Sequence, residues 1–173
     1  MLAHAKNPHV KRTALIFAGL LPLVLTRQAL AHLPVPDHTF NAGPTFAYAH
    51  APVVDGGFVY GVDVAGTYGL WWGGVGARVF ETFEADERKV LPYVEAGLFL
   101  FLNVGGGYTL DTAPRSASLS GPHFFIGLPV PLAKVQRSAS SDLFYAEPYY
   151  RATYADVGTL HEVGAFVKWT SFM

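Results

Sequence analysis

The sequence predicts an all-β chain: an up-and-down, antiparallel, eight-stranded β-barrel with strands suited to crossing a membrane. Three observations predict it. Beyond residue 31, apolar and polar residues alternate in eight segments of about ten residues, the length a tilted strand needs to cross hydrocarbon. The charged residues within those segments share a face with Gly, Thr and Asn, while the opposite face is almost wholly apolar. The first 31 residues have the layout of an export signal.

The signal is read from its three parts. Lys6, Lys11 and Arg12 form a positive start, residues 13–25 are an apolar run broken by Pro22, and Ala29 and Ala31 give a small-x-small cleavage pattern. The run is short for a spanning helix, which needs about 20 apolar residues. A retained N-terminal anchor is the alternative. Residues 1–31 are therefore assigned as a signal peptide and 32–173 as a single barrel domain.

The strands follow in order. The first, 40–49, sets Phe46 and Tyr48 against Thr45 and Ala47, and a loop at 51–57 leads to the second. In 58–67, Phe58, Tyr60, Val62 and Val64 alternate with Val59, Gly61, Asp63 and Ala65. A tight turn near Tyr68 and Gly69 precedes 70–83, where Trp71, Val75, Ala77 and Val79 oppose Trp72, Gly74, Gly76 and Arg78. The charged run 84–89 reads as a solvated loop. Strand four, 90–100, places Val94, Ala96, Leu98 and Leu100 against Tyr93, Glu95 and Gly97.

A short turn around Phe101 and Leu102 opens strand five, to Asp111, with one long bent strand over 91–110 as the other possibility. Residues 111–121 form a polar loop without periodicity. Strand six, 122–132, carries Pro129 and Pro131, which remove two ladder donors and argue for an edge, a bulge or a strand end. After a polar connection at 134–142, strand seven, 143–154, alternates Phe144, Ala146, Pro148, Tyr150 and Ala152 with Tyr145, Glu147, Tyr149, Arg151 and Thr153. Residues 155–158 turn into the last strand, where Val163, Ala165, Val167 and Trp169 oppose Glu162, Gly164, Phe166, Lys168 and Thr170.

Composition excludes several classes. All 13 acidic residues but only 8 of the 12 basic ones lie beyond residue 31, a net −5, and the basic residues are scattered. Without a basic cluster to hold phosphate, nucleic acid is no partner. The chain has no cysteine, so it has no disulfide framework, thiolate metal site or lipid-anchored cysteine.

Face parity decides between a water-soluble core and a lipid-facing barrel. Asp63, Arg78, Glu95, Glu147, Arg151, Glu162 and Lys168 all lie on the Gly-rich face, which is poor in Lys and rich in Tyr. Three basic and four acidic groups suit a small closed lumen in which opposite charges pair. On the other face, Trp71, Tyr108 and Trp169 suit an aromatic girdle at the membrane interfaces.

On these residues the chain resembles the small eight-stranded outer-membrane β-barrel proteins of the OmpA-transmembrane and OmpX type. In that class the last strand tends to read polar-x-Gly-x-x-apolar-x-aromatic, which Glu162, Gly164, Val167 and Trp169 match. That class usually ends on an aromatic residue, whereas this chain continues to Met173. The resemblance implies a lipid bilayer and the outer-membrane assembly machinery as partners, a monomer, and these four residues as the assembly signal.

No catalytic constellation, cofactor or metal site is legible. His123 falls on the lumen face and His161 near the last strand, each more simply satisfied by a neighbour than catalytic. The His-x-Ser pair that the lipid A deacylases of this size carry is absent, as is Gly-x-Ser-x-Gly. His50, Asp55 and Ser116 could gather at a rim but show no spacing that binds them together. The expectation is a non-enzymatic outer-membrane barrel with a structural or adhesive role, or one passing a narrow solute. The alternatives are a secreted or periplasmic soluble barrel holding an apolar ligand, and a lipid-modifying barrel enzyme.

Overall fold

Alternation that places β-branched and aromatic side chains on one face and small or charged ones on the other leaves one economical arrangement: a sheet closed on itself. The computed structural model describes residues 38–52, 54–83, 87–112, 118–136 and 141–172. Among the described residues nine strands run β1(His38–Ala51), β2(Val54–Tyr68), β3(Trp71–Thr82), β4(Arg88–Phe99), β5(Asn103–Thr109), β6(Gly121–Gly127), β7(Val130–Gln136), β8(Ser141–Ala155) and β9(Gly158–Phe172). All pairings are antiparallel between neighbours in the chain, β6 also pairs with β8, and β1 pairs with β9 to close the barrel.

β6 and β7 are one barrel strand in two pieces. Gly127 pairs with Tyr149 and Val130 with Ala146, so both pieces keep step along β8. The break falls where Pro129 and the facing stretch at Pro148 lack amide donors, and a register shift follows between Pro131 and Ala133. The two prolines thus interrupt strand six, and the barrel has eight staves. Below the break β7 pairs with β8 alone among the described strands.

The register fixes the dimensions. Partners can be followed once around the wall from Phe40 through Gly66, Gly73, Ala96, Gly106, Phe124, Ala152 and His161 to His50. The path returns to β1 ten residues from its start. Eight strands with that stagger tilt by about 40° and enclose a backbone radius of about 8 Å, room for side chains and little more.

The parity expected from the sequence is the parity observed. Large apolar residues cover the outside: Phe46, Phe58 and Val62 are each 60% exposed and Val163 is 63% exposed. Inward residues are buried whatever their polarity. Several boundaries differ from expectation: residues 54–57 of the expected first loop belong to β2, and 134–136 and 141–142 of the expected connection belong to β7 and β8. Arg88 and Lys89, expected in the charged loop, belong to β4, and Lys89 points inward and is 1% exposed. Residues 118–120 of the expected polar loop fold onto the barrel mouth, with Leu119 fully buried. The signal-like segment 1–31 lies outside the described residues, as does Ser116.

Candidate functional site

The lumen is filled in layers, each built from inward positions of successive strands. Nearest the mouth formed by the β1–β2, β3–β4, β5–β6 and β8–β9 connections lies a polar layer. Lys89 Nζ is 3.1 Å from Asp111 Oδ2 and 3.5 Å from Glu87 Oε1. Asp111 Oδ2 also accepts from the Leu119 amide at 3.1 Å, and the Asp111 amide donates to Ser120 Oγ at 2.8 Å. Beneath it, Val59, Phe80, Leu91, Leu119 and Leu160, none more than 1% exposed, close the bore with hydrocarbon.

The central layer holds most of the charges singled out above. Arg78 Nη1 is bonded to Glu162, and its Nη2 donates to Thr109 Oγ1 at 2.9 Å. Thr109 Oγ1 also lies 3.0 Å from His123 Nδ1, within hydrogen-bond distance. The other ring nitrogen lies 3.3 Å from Glu95 Oε2. Arg151 Nη2 donates to the same Glu95 oxygen at 2.7 Å, and Arg151 Nη1 lies 3.7 Å from Glu162. Arg78, Thr109, His123, Glu95, Arg151 and Glu162 therefore form a closed ring of polar contacts. Tyr93 lies between its two arginines, with the guanidinium carbons of Arg78 and Arg151 4.6 and 4.5 Å from the ring centre.

Below the ring comes an aromatic layer. Phe125 packs edge-on to Trp72 at 5.7 Å, and Tyr149 stacks on Phe166 at 4.6 Å. The second ionic group lies under it: Lys168 Nζ is 2.7 Å from Asp63 Oδ1 and 3.3 Å from Glu147 Oε2, and 4.1 Å from the Phe166 ring centre. Asn103 is bonded to Glu147, and Tyr93 donates to Asp63 at 2.9 Å. The seven charged residues thus lie in two groups, one around Arg78, Glu95, Arg151 and Glu162, the other around Asp63, Glu147 and Lys168. Tyr93 touches both, through the two arginines and through Asp63.

Glycines on the inner wall make room for this filling. A Cβ at Gly76 would collide with the Tyr93 ring, and one at Gly105 would come within 2.8 Å of Trp72. Gly164, the glycine of the terminal pattern, faces inward where a side chain would strike Phe46 and Ala47. Its neighbours Val167 and Trp169 point outward and Glu162 inward.

Outside, aromatic residues gather at the two ends of the strands. Phe40, Tyr68, Trp71, Phe144 and Trp169 lie toward the rim at which β1 begins and β9 ends. Tyr48, Phe58, Tyr108 and Tyr154 lie toward the opposite mouth. Between them run Val62, Val64, Val75, Val94, Val104, Val163 and Val167. Eight to ten residues of tilted strand separate the two aromatic bands, about 20–25 Å, the height of the apolar belt of a membrane barrel.

His123 is buried in the ring, whereas His161 is exposed outside, with Nδ1 2.7 Å from Tyr150 Oη. Among the described residues no three His, Asp or Glu side chains converge as a metal centre would. Lys89, Asp111 and Thr109 were not singled out from the sequence. The signal for Thr109 was its inward parity beside Gly105 and Gly107; Lys89 was hidden in a charge run.

No family model matches the chain, and no curated protein does. Among solved structures, Ail, the attachment invasion locus protein of Yersinia pestis, is similar with a TM-score of 0.43 and 13% identity, over 77% of this chain and 98% of that one. The same protein in complex with the heparin analogue sucrose octasulfate gives 0.37 and 12%, over 76% and 97%. These values leave the chain's family open. Its function rests on its own geometry.

Proposed function

We propose that the chain is an integral outer-membrane β-barrel that acts through its wall and rims, in a structural or adhesive role, and not as a conduit or a catalyst. One observation carries this reading: the barrel is inverted relative to a soluble protein. Its outer surface is a continuous hydrocarbon belt between two aromatic bands, and its interior holds ion-paired Asp63, Arg78, Glu95, Glu147, Arg151, Glu162 and Lys168, with Lys89 and Asp111 nearer the mouth. Such a belt costs solubility in water and is stabilising in lipid. A soluble barrel carrying an apolar ligand needs the opposite distribution.

The hydrocarbon layer at Phe80, Leu91, Leu119 and Leu160 favours a closed lumen over a narrow solute path. Against a lipid-directed reaction stands the place of the histidines: His123 is locked between Thr109 and Glu95, and His161 has a phenol as its hydrogen-bond partner. Export through residues 1–31 and assembly through Glu162, Gly164, Val167 and Trp169 belong to the same proposal.

Fractionation of cells expressing the protein tests it. The protein is expected in the outer membrane, resistant to alkaline extraction, beginning at His32, and migrating differently on a gel with and without boiling. Recovery as a soluble, detergent-free monomer would sink the reading. The assembly signal has its own test: Trp169→Asp is expected to leave the barrel unassembled, while Thr170→Asp on the inner face assembles. Normal insertion of Trp169→Asp refutes the lipid-facing signal.

A further inference from the structure

A polar group lies on the outer surface where the first strand meets the last: His50, Tyr150 and His161. His50 and His161 are direct partners across the seam at which the first strand meets the last. Both are exposed, His50 continuing the outward series of Phe46 and Tyr48, and His161 that of Val163 and Val167. Directly opposed residues of an antiparallel pair hold their Cβ atoms about 5 Å apart. Two imidazoles on such short arms can each bring a nitrogen to about 2.0–2.1 Å from a shared ion.

Tyr150, on the neighbouring β8, orients one of them. Its hydroxyl is 2.7 Å from His161 Nδ1, and the two rings lie nearly parallel, 25° apart, with centres 6.0 Å apart. When Nδ1 carries the hydrogen and the phenol oxygen accepts it, the Nε2 lone pair is left free. An outer partner of this kind commonly fixes the tautomer of a metal-binding histidine. The pair also lies in a wet place. His50 is the last residue but one of β1 and His161 the fourth of β9, level with the aromatic band of Tyr48, Phe58 and Tyr154.

We propose that His50 and His161 form a two-nitrogen site for a divalent transition metal, which staples the β1–β9 seam, with Tyr150 as the positioning residue of His161. Water or headgroup oxygens complete the coordination. Imidazole nitrogens select Cu2+, Ni2+ and Zn2+ over Mg2+ and Ca2+, with Cu2+ the tightest. Two protein ligands make an exchangeable site, so the metal acts as a conditional lock on closure. The barrel does not depend on it to fold.

The whole protein, purified without a histidine tag into a neutral maltoside micelle, is titrated with Cu2+ and Ni2+. One Cu2+ is expected to show paramagnetic-resonance splitting from two imidazole nitrogens, falling to one in His50→Ala and in His161→Ala. Each of these variants should bind at least about tenfold more weakly, and Tyr150→Phe about tenfold more weakly, in the range for loss of an outer partner. His38→Ala should bind unchanged. Ni2+ should raise the temperature at which the folded band converts on a gel, and His50→Ala should abolish that rise. Splitting from fewer than two nitrogens in the wild-type protein, or Cu2+ binding that survives both single replacements, overturns the proposal.

Discussion

At the scale of single residues the interior is decided by Glu162. It is the carboxylate shared by Arg78 and Arg151, both fully buried. Removing one partner of a buried ionic group leaves an uncompensated charge, at a cost of about 3–5 kcal/mol. Glu162→Gln keeps the shape and removes the charge. It is expected to lower barrel stability by about that amount, read as a shift in the urea midpoint of the protein refolded in lipid vesicles. The double variant Glu162→Gln with Arg78→Met should regain part of the loss, because one stranded cation is gone. An unchanged midpoint in the single variant refutes the ring. Which residues point inward was legible from parity alone. Their partners were not, since pairing depends on the stagger of ten residues, which brings strands far apart in sequence to one level. Lys89 escaped because the run around it masks the period-2 signal that its neighbours Val90 and Leu91 carry.

At the scale of strands, the alternation sets the wall and the prolines set its one interruption. The sequence showed that Pro129 and Pro131 fit no regular central strand. It did not show that the strand would resume in step, because that is imposed by β8 continuing past both pieces. The outer face of β2 gives the sharpest test of its surroundings. Val62 sits midway along the strand, 60% exposed, and Tyr68 closes it at the rim, 68% exposed. In lipid, a lysine at the midplane costs about 2–4 kcal/mol and near the interface about 0–1 kcal/mol. Val62→Lys is therefore expected to destabilise the vesicle-folded barrel by several-fold more than Tyr68→Lys in the same urea titration. Were the surface facing water, both replacements would be near neutral. Equal, small effects would count against the membrane assignment.

At the scale of the whole molecule, closure and filling have one cause. Eight staves with this stagger leave a bore about one side-chain layer in radius, so inward residues from opposite walls meet at the axis. The stack then follows from what meets: a polar mouth at Lys89 and Asp111, hydrocarbon at Phe80, Leu91 and Leu160, the Arg78–Arg151 ring, the rings of Trp72, Phe125, Tyr149 and Phe166, and Lys168 between its two carboxylates. An ion entering from either mouth has to displace a hydrocarbon or aromatic layer, or break a paired group, and no side chain on the axis supplies replacement hydration. The barrel reconstituted in a planar bilayer in molar potassium chloride is accordingly expected to show no stepwise conductance, at either polarity. Loss of Leu160 alone, as Leu160→Ala, should still leave it silent, because the aromatic layer blocks the bore independently of the upper seal. Steady unitary currents from the wild-type protein would mean that the layers part in the membrane, and the closed-lumen reading would fall with them.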